Sequence, residues 1–240
     1  MAAHKPTHDD SEGTVGIVPA EGPPAGSHAA WRGVVVILGI AVVILGVWRV
    51  ASPLPHPTPA APQLPRIKPV PEFALTEASG ATVTRDTLLG SPWVADFIFT
   101  SCPGPCPKLS QRMLAIQRAL IRAGVSGRLV SFSVDPQRDR PSVLQKYAQR
   151  FKANSDRWWF LTGEDEESMW NLVSEGFLQA VFAGDEDHHV EHSTYLIVVG
   201  KSGYIRSVHQ GLDPDQSVSG LVDAIVTDLR ALDGEPDQPQ

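Results

Sequence analysis

The sequence predicts an α/β sandwich in which helices flank a central mixed sheet. Short apolar segments of strand length alternate with segments of helical period between residues 73 and 229. The last two apolar segments before the final helix surround a Gly-rich turn, which predicts an antiparallel hairpin. Hydrophobic residues make up 42% of the 240-residue chain and charged residues 20%, a composition typical of a folded domain.

The N-terminal region contains one long apolar segment. The uncharged run from Gly33 to Trp48 has 16 residues and would span about 24 Å as a helix, somewhat less than a hydrocarbon core of about 30 Å. An arginine and a tryptophan at each end suit the two interfaces. We therefore expect a transmembrane helix over residues 31–50. A buried core helix and a cleaved signal peptide are the alternatives.

Two segments of low complexity surround this run. Residues 1–30 have no hydrophobic period and are expected to be disordered. Residues 51–71 contain eight prolines and predict a semi-rigid linker reaching up to about 65 Å at ~3.1 Å per residue. The expected globular domain then covers residues 72–232, and residues 233–240 are expected to form a disordered tail.

The domain elements follow from periodicity and end signals. The expected strands cover residues 93–99, 129–134, 158–161, 194–199 and 204–208. The expected helices cover residues 109–124, 143–151, 164–177 and 213–229. Acidic residues open the third helix, where they suit the helix dipole, and Asp213-Pro214 is expected to cap the last one.

Both cysteines of the chain lie in the motif F-I-F-T-S-C-P-G-P-C-P. Cys102 follows the end of a strand, and Cys106 precedes a helix. Prolines are tolerated in the first turn of a helix, so those on either side of Cys106 fix its start. Because the N-terminus of a helix is electropositive, the pKa values of these cysteines are expected to be lowered.

The cysteine pair leaves three interpretations open: a redox couple, part of a mixed Cys/His metal site, or two inert buried thiols. Two cysteines are too few for a four-thiolate zinc site. Two thiolates can bind Cu(I), whereas Cu(II) needs an imidazole in addition. The candidate imidazole is His192, expected near a strand start. His188 and His189 precede it in an acidic loop and are expected to be solvated.

Four ordered motifs resemble the Sco/SenC family of copper chaperones for cytochrome c oxidase assembly. They are the cysteine motif, S-V-D-P-Q-R-D-R-P, W-F-L-T-G and V-E-H-S, and the resemblance extends over residues 73–229. It implies a thioredoxin-like fold with an inserted hairpin and a single membrane helix. It also implies a copper site formed by Cys102, Cys106 and His192. The family places the domain on the periplasmic or outer face of the inner membrane, although the few cations flanking the apolar run favour the opposite side.

Two acidic positions are candidate accessory residues. Asp96 lies in an apolar strand six residues before Cys102, and this strand is similar to that of thioredoxins, in which a buried Asp can shuttle a proton. The alternative is an edge-facing or capped Asp without a role. Asp135 begins a polar loop that could shape the site or dock a partner. The alternative there is a simple turn with a surface Arg138–Asp139 pair.

These observations predict a membrane-anchored metallochaperone that passes copper to the binuclear copper centre of the oxidase. Its expected partners are the copper-binding oxidase subunit and other copper carriers or thiol reductants. The alternative is a tethered thiol–disulfide oxidoreductase that uses the same cysteines, so enzymatic activity is left open. A peroxiredoxin-like peroxidase and a zinc site are further alternatives. A net charge of −7 argues against a nucleic-acid partner.

Overall fold

The computed structural model describes residues 27–51, 64–179, 181–183 and 190–236. The chain divides into two compact units, residues 1–59 and 60–240. The first contains helix α1 (Ser27–Ala51, 25 residues), whose side chains from Trp31 to Val47 are exposed. Among the described residues, no helix reaches the length and hydropathy that crossing a bilayer requires, so the membrane-spanning part of the prediction for 31–50 is not supported.

The second unit holds all the strands that the structure describes. These are β1 (Lys68–Pro69), β2 (Ala74–Glu77), β3 (Thr82–Thr84), β4 (Trp93–Ile98), β5 (Arg128–Ser133), β6 (Trp158–Thr162), β7 (Val181–Ala183), β8 (Val190–His192), β9 (Tyr195–Val199) and β10 (Tyr204–Gln210). Its helices are α2 (Pro105–Ala123), α3 (Pro141–Arg150), α4 (Glu166–Asn171) and α5 (Val218–Asp233). A π-helical turn, Leu172–Gly176, extends α4.

Eight of these strands form one sheet in the order β1-β10-β9-β4-β5-β6-β2-β3. Strands β4, β5 and β6 are parallel, and the other neighbouring pairs are antiparallel. The predicted central mixed sheet and its terminal hairpin, β9-β10, are therefore confirmed. Strands β7 and β8 form a separate antiparallel pair, which precedes β9 in the sequence.

The sheet buries different side chains on its two faces. On one face, Trp93, Phe97 and Phe132 pack against Phe177, and the ring centroids of Phe132 and Phe177 lie 5.1 Å apart. The other face carries Asp96, Trp158 and Phe160, and α3 packs on it next to α2. Helix α2 also contacts α5. The buried polar side chains of Asp96, Ser110 and Ser131 thus lie on the face of the sheet that α2 and α3 cover.

Two helix ends illustrate how local sequence sets the boundaries. Gly124 ends α2 in the left-handed conformation, at φ 61°, which a residue without a Cβ adopts at low cost. Ser217 caps α5, since its hydroxyl accepts a hydrogen bond from the Gly220 N–H over 3.0 Å. The expected cap at Asp213 is therefore wrong. Asp213 instead accepts the N–H of Asp215 within a preceding turn, because the Asx turn satisfies its carboxylate before the helix begins.

The end of the predicted proline-rich linker belongs to the sheet. Lys68 and Pro69 pair with β10 as strand β1. The buried Arg206 donates to the Pro65 carbonyl over 3.0 Å and forms two hydrogen bonds of 2.7 Å with Glu235. One side chain therefore joins the segment that enters the domain to the segment that follows α5. Most of the predicted tails and linker, residues 1–26, 52–63 and 237–240, lie outside the described residues.

Candidate metal and thiol site

The two cysteines lie at the junction between β4 and α2. Cys102 is in the connecting loop and Cys106 is in the first turn of α2, and both are buried thiols in this structure. The backbone N–H of Cys106 points to the Cys102 sulfur at 3.5 Å. The electropositive end of α2 is therefore directed at Cys102, where an N–H donor favours a negatively charged sulfur.

The expectation of lowered cysteine pKa values is wrong for Cys106. Its pKa is raised far above the usual value for a thiol. The main cause is its hydrogen bond with the Cys102 side chain, followed by burial, and the negative charges of Cys102 and Asp96 add to the effect. In the absence of a bound cation, ionisation of both Cys102 and Cys106 is unfavourable, because two negative charges would then lie close together in a buried site. A soft metal ion would supply the missing positive charge.

Asp96 is completely buried in the central strand β4 and is not at an edge. The Ser131 hydroxyl donates to Asp96 Oδ1 over 2.5 Å, and Trp158 Nε1 donates to the same hydroxyl over 2.8 Å. Within the described part of the chain, Asp96 Oδ2 has no hydrogen-bond partner. Burial raises the pKa of Asp96 to about 7, against the lowering effect of the Ser131 hydrogen bond. The side chain can therefore take up or release a proton near neutral pH.

A second buried polar pair was not predicted from the sequence. Ser110 on α2 and Tyr147 on α3 share a hydrogen bond of 3.0 Å between their hydroxyls. The pKa of Tyr147 is raised, mainly by burial, and the charges of Cys106, Asp96 and Cys102 contribute. The only sequence signal was a serine among the mostly apolar residues on the buried face of α2. The aromatic ring of Tyr147 looked like an ordinary core residue.

The loop after β5 contributes two buried carboxylates with different hydrogen-bond partners. Asp135 accepts hydrogen bonds from the backbone N–H of Arg138 and from its guanidinium at 3.0 Å. Asp139 instead accepts from the Thr100 N–H at 2.9 Å and the Ser133 hydroxyl at 2.7 Å. Burial raises the pKa of Asp139, and these hydrogen bonds oppose it. The expected surface pair of Arg138 with Asp139 is therefore wrong, since Arg138 pairs with Asp135.

The structure places the backbone of His192 at the end of β8, opposite Val181. Its side chain, like His188 and His189, lies outside the described residues. Among the described side chains, no group of three or more His, Cys, Asp or Glu residues is arranged to hold a metal ion. The expected three-ligand site thus remains a prediction.

Backbone contacts nevertheless lead from β8 towards α2. Thr194 lies two residues after His192, and its carbonyl accepts a hydrogen bond from the Gly211 N–H over 2.9 Å. A Cβ added at Gly211 would lie 2.4 Å from Leu109 Cδ1. Because Leu109 is three residues beyond Cys106 on α2, the chain next to His192 runs close to the start of this helix.

The fold and the buried dithiol together define a thioredoxin-like α/β protein with two cysteines at the strand-to-helix junction. The SCO1/SenC family profile matches residues 62–227, and the chain belongs to this family. A relative named "SCO1 protein homolog" from Bacillus subtilis is 30% identical over 162 residues, which cover 68% of this chain and 81% of the relative.

Solved structures show the same fold. A SCO1/SenC family lipoprotein from Bacillus anthracis superimposes with a TM-score of 0.64 at 27% identity, covering 69% of this chain and 95% of its own. BsSco, a Sco-family cytochrome c oxidase assembly protein with a disulfide switch, gives 0.62 at 30% identity, covering 69% and 94%. Arabidopsis thaliana ScoI with copper bound gives 0.57 at 26% identity, covering 67% and 97%.

Proposed function

We propose that this protein binds one copper ion and delivers it during the assembly of cytochrome c oxidase. The observation that carries the proposal is the pair of buried thiols at the start of α2, with the helix N–H of Cys106 directed at the Cys102 sulfur. Thiolates are the ligands that Cu(I) prefers. Two similar proteins support the proposal: Arabidopsis ScoI, which has been solved with copper bound, and BsSco, a member of a family of cytochrome c oxidase assembly proteins.

In this proposal Cys102 and Cys106 hold Cu(I), and His192 joins them for Cu(II). The cargo leaves by ligand exchange, as thiolates of the recipient oxidase subunit replace the two cysteines one at a time. Since the raised pKa of Cys106 keeps it a thiol in the absence of metal, copper entry displaces its proton. Copper release allows the thiol to be reprotonated, which favours unloading.

A copper titration of the full chain with X-ray absorption spectroscopy tests this proposal. The wild type should bind one copper per chain with two sulfur ligands, and Cys102→Ser and Cys106→Ser should each abolish tight binding. His192→Ala should weaken Cu(II) binding strongly and leave most of the Cu(I) affinity. Unchanged Cu(II) spectra in His192→Ala would exclude this histidine as a ligand. Tight copper binding by the serine variants would exclude the dithiol site.

A second candidate function is thiol–disulfide exchange on the cysteines of the recipient. It is favoured by Asp96, a buried carboxyl group with a pKa of about 7 on the same sheet face as α2, and by the disulfide switch of the relative BsSco. In this reaction the two thiols are oxidised to a disulfide while the recipient disulfide is reduced to two thiols. Asp96→Asn should slow this exchange and leave copper affinity nearly unchanged. Equal exchange rates in wild type and variant would remove Asp96 from the reaction.

We also propose that the protein acts at the outer face of the inner membrane, attached through its N-terminal region. The exposed apolar side chains of α1 and the existence of a family lipoprotein support attachment. Fractionation of cells expressing the full chain, followed by protease treatment of spheroplasts, tests both parts. Recovery in the soluble fraction would contradict attachment, and protection of the domain from the protease would contradict the outer location.

A further inference from the structure

The faces of α2 and α3 carry an unusual excess of positive charge for an acidic protein. The segments 105–123 and 141–152 contain seven of the 20 basic residues of the chain and none of its 27 acidic residues. These cations are Lys108, Arg112, Arg118, Arg122, Lys146, Arg150 and Lys152. In the part of the chain that the structure describes, none of the seven forms an ion pair. Their charge is thus available to a partner.

Part of this surface is a groove with a volume of about 310 Å³. One wall is a stripe along α2 that starts at Pro107, directly after Cys106, and ends at Arg118. The other wall is the end of α3 with Arg150, Phe151 and Lys152. Arg118 lies eleven positions after Pro107, which makes the groove about 16 Å long and suits a segment of about five extended residues or ten helical ones.

The groove is held in shape by hydrogen bonds between its walls. The buried Gln117 on α2 donates to the Lys152 carbonyl over 3.2 Å and accepts from the Asn154 N–H over 2.8 Å. Lys152 itself adopts the left-handed conformation, at φ 52°, which is costly for a residue with a side chain. Glycine or asparagine would adopt this conformation with less strain, and Lys152 is one of the residues that line the groove.

The lining combines cations with an apolar surface. Leu114 and Phe151 contribute apolar atoms, and the Arg150 guanidinium lies 5.6 Å from the Phe151 ring centroid. Charge complementarity selects an occupant with several carboxylates, and the apolar atoms select one with aliphatic side chains between them. A concave surface suits a protruding peptide segment better than a flat bilayer.

We propose that this groove is the docking site for an acidic segment of a partner protein, and that it guides the partner to Cys102 and Cys106. It extends the proposed function by naming the chemistry of the partner, and it rests on that function only in taking the cysteines as the point of exchange. Peptide binding itself requires neither copper nor a reactive thiol.

Fluorescence anisotropy with a labelled ten-residue peptide of glutamate and leucine tests this proposal on the full chain without copper. The Glu peptide should bind the wild type, whereas the same peptide with Gln or Lys in place of Glu should not. Arg118→Glu and Arg150→Glu should each weaken binding by roughly fivefold or more. Arg230→Glu on α5 makes the same change in net charge at an exposed helix position and should alter binding by less than about twofold.

Several outcomes would overturn the proposal: no binding of the Glu peptide, equal binding of the Gln peptide, or equal weakening by all three variants. Binding of phosphatidylglycerol vesicles in preference to the Glu peptide, lost in Arg118→Glu and Arg150→Glu, would assign the groove to a membrane instead. Circular dichroism confirms that each variant is folded. The Cys102→Ser variant should bind the Glu peptide like the wild type, so that failure of the copper proposal and failure of this one are told apart.

Discussion

The carboxylate of Asp139 holds the backbone of Thr100, accepting its N–H over 2.9 Å. Thr100 lies two residues before Cys102, whereas Asp139 follows β5. The two loops meet because β4 and β5 are parallel neighbours, with Ile98 opposite Ser133, so that their C-terminal ends leave the sheet side by side. The loop that carries the first cysteine is therefore anchored by a residue 39 positions away.

Replacing Asp139 should destabilise the protein and loosen the cysteine loop. Asp139→Ala removes the acceptor of the Thr100 N–H and of two hydroxyl groups and should lower the free energy of unfolding by about 2–4 kcal/mol. Urea denaturation measures this change. Asp135→Ala serves as a control with a smaller expected loss, because its partner Arg138 is half exposed and can return to water. A larger loss in Asp135→Ala would contradict the anchoring role of Asp139.

Asp96 should make stability decline as the pH rises. Its folded-state pKa of about 7 lies above the ordinary value of 3.8, so between these values the unfolded chain has lost a proton that the folded protein keeps. Stability therefore falls over this range, by roughly 4 kcal/mol for the full difference. Asp96→Asn should be more stable than the wild type at pH 7.5, with a smaller advantage at pH 4, in urea denaturation.

Asp165→Asn provides a control of opposite sign. Hydrogen bonds from Ser168 lower the pKa of this exposed helix cap. Its contribution to stability is thus present above the ordinary pKa of Asp and is lost as the pH falls through the lowered value. The variant should be less stable than the wild type at neutral pH and should approach it in acid. If the stability advantage of Asp96→Asn over the wild type does not grow with pH, ionisation of Asp96 does not destabilise the folded protein.

Copper affinity should rise with pH. Because the pKa of Cys106 is raised well above neutrality, binding of Cu(I) to the dithiol releases at least one proton. The association constant should therefore increase about tenfold per pH unit between pH 7 and 8.5, a range in which an unperturbed imidazole is already neutral. Competition with a chelator of known pH dependence measures this slope. A Cu(I) affinity independent of pH would contradict a protonated Cys106 in the copper-free protein.

Gly211→Ala should disturb the chain next to His192. The new Cβ would lie 2.4 Å from Leu109 Cδ1 and 2.6 Å from the Thr194 carbonyl oxygen, and a backbone atom cannot move aside cheaply. We expect the free energy of unfolding to fall by about 1–3 kcal/mol. Relative to the wild type, the variant should lose more affinity for Cu(II) than for Cu(I). Gly234→Ala is the control, since its Cβ would meet no atom closer than 3.6 Å. Wild-type Cu(II) affinity in a folded Gly211→Ala protein would contradict the coupling of this turn to the metal site.

Local patterns predicted much of the fold. The five expected strands and four expected helices are present, because apolar periodicity, proline positions and glycine ends act within a few residues of each other. Strands β1 to β3 were not expected, since two to four residues are too short to show a period. The Asp213 cap was misplaced because Ser217, which is an equally good capping residue, lies closer to the apolar face of α5.

The sequence by itself determined that two thiols stand at a strand-to-helix junction and that α/β elements surround them, because both are properties of neighbouring residues. Only the tertiary structure decided that Asp139 holds Thr100 and that Asp96 is buried on the face covered by α2 and α3. It also decided that the N-terminus of α2 is directed at the Cys102 sulfur, while the pKa of Cys106 is raised. These relationships join residues distant in sequence. They depend on burial and on distances that the sheet sets, and no local pattern encodes either quantity.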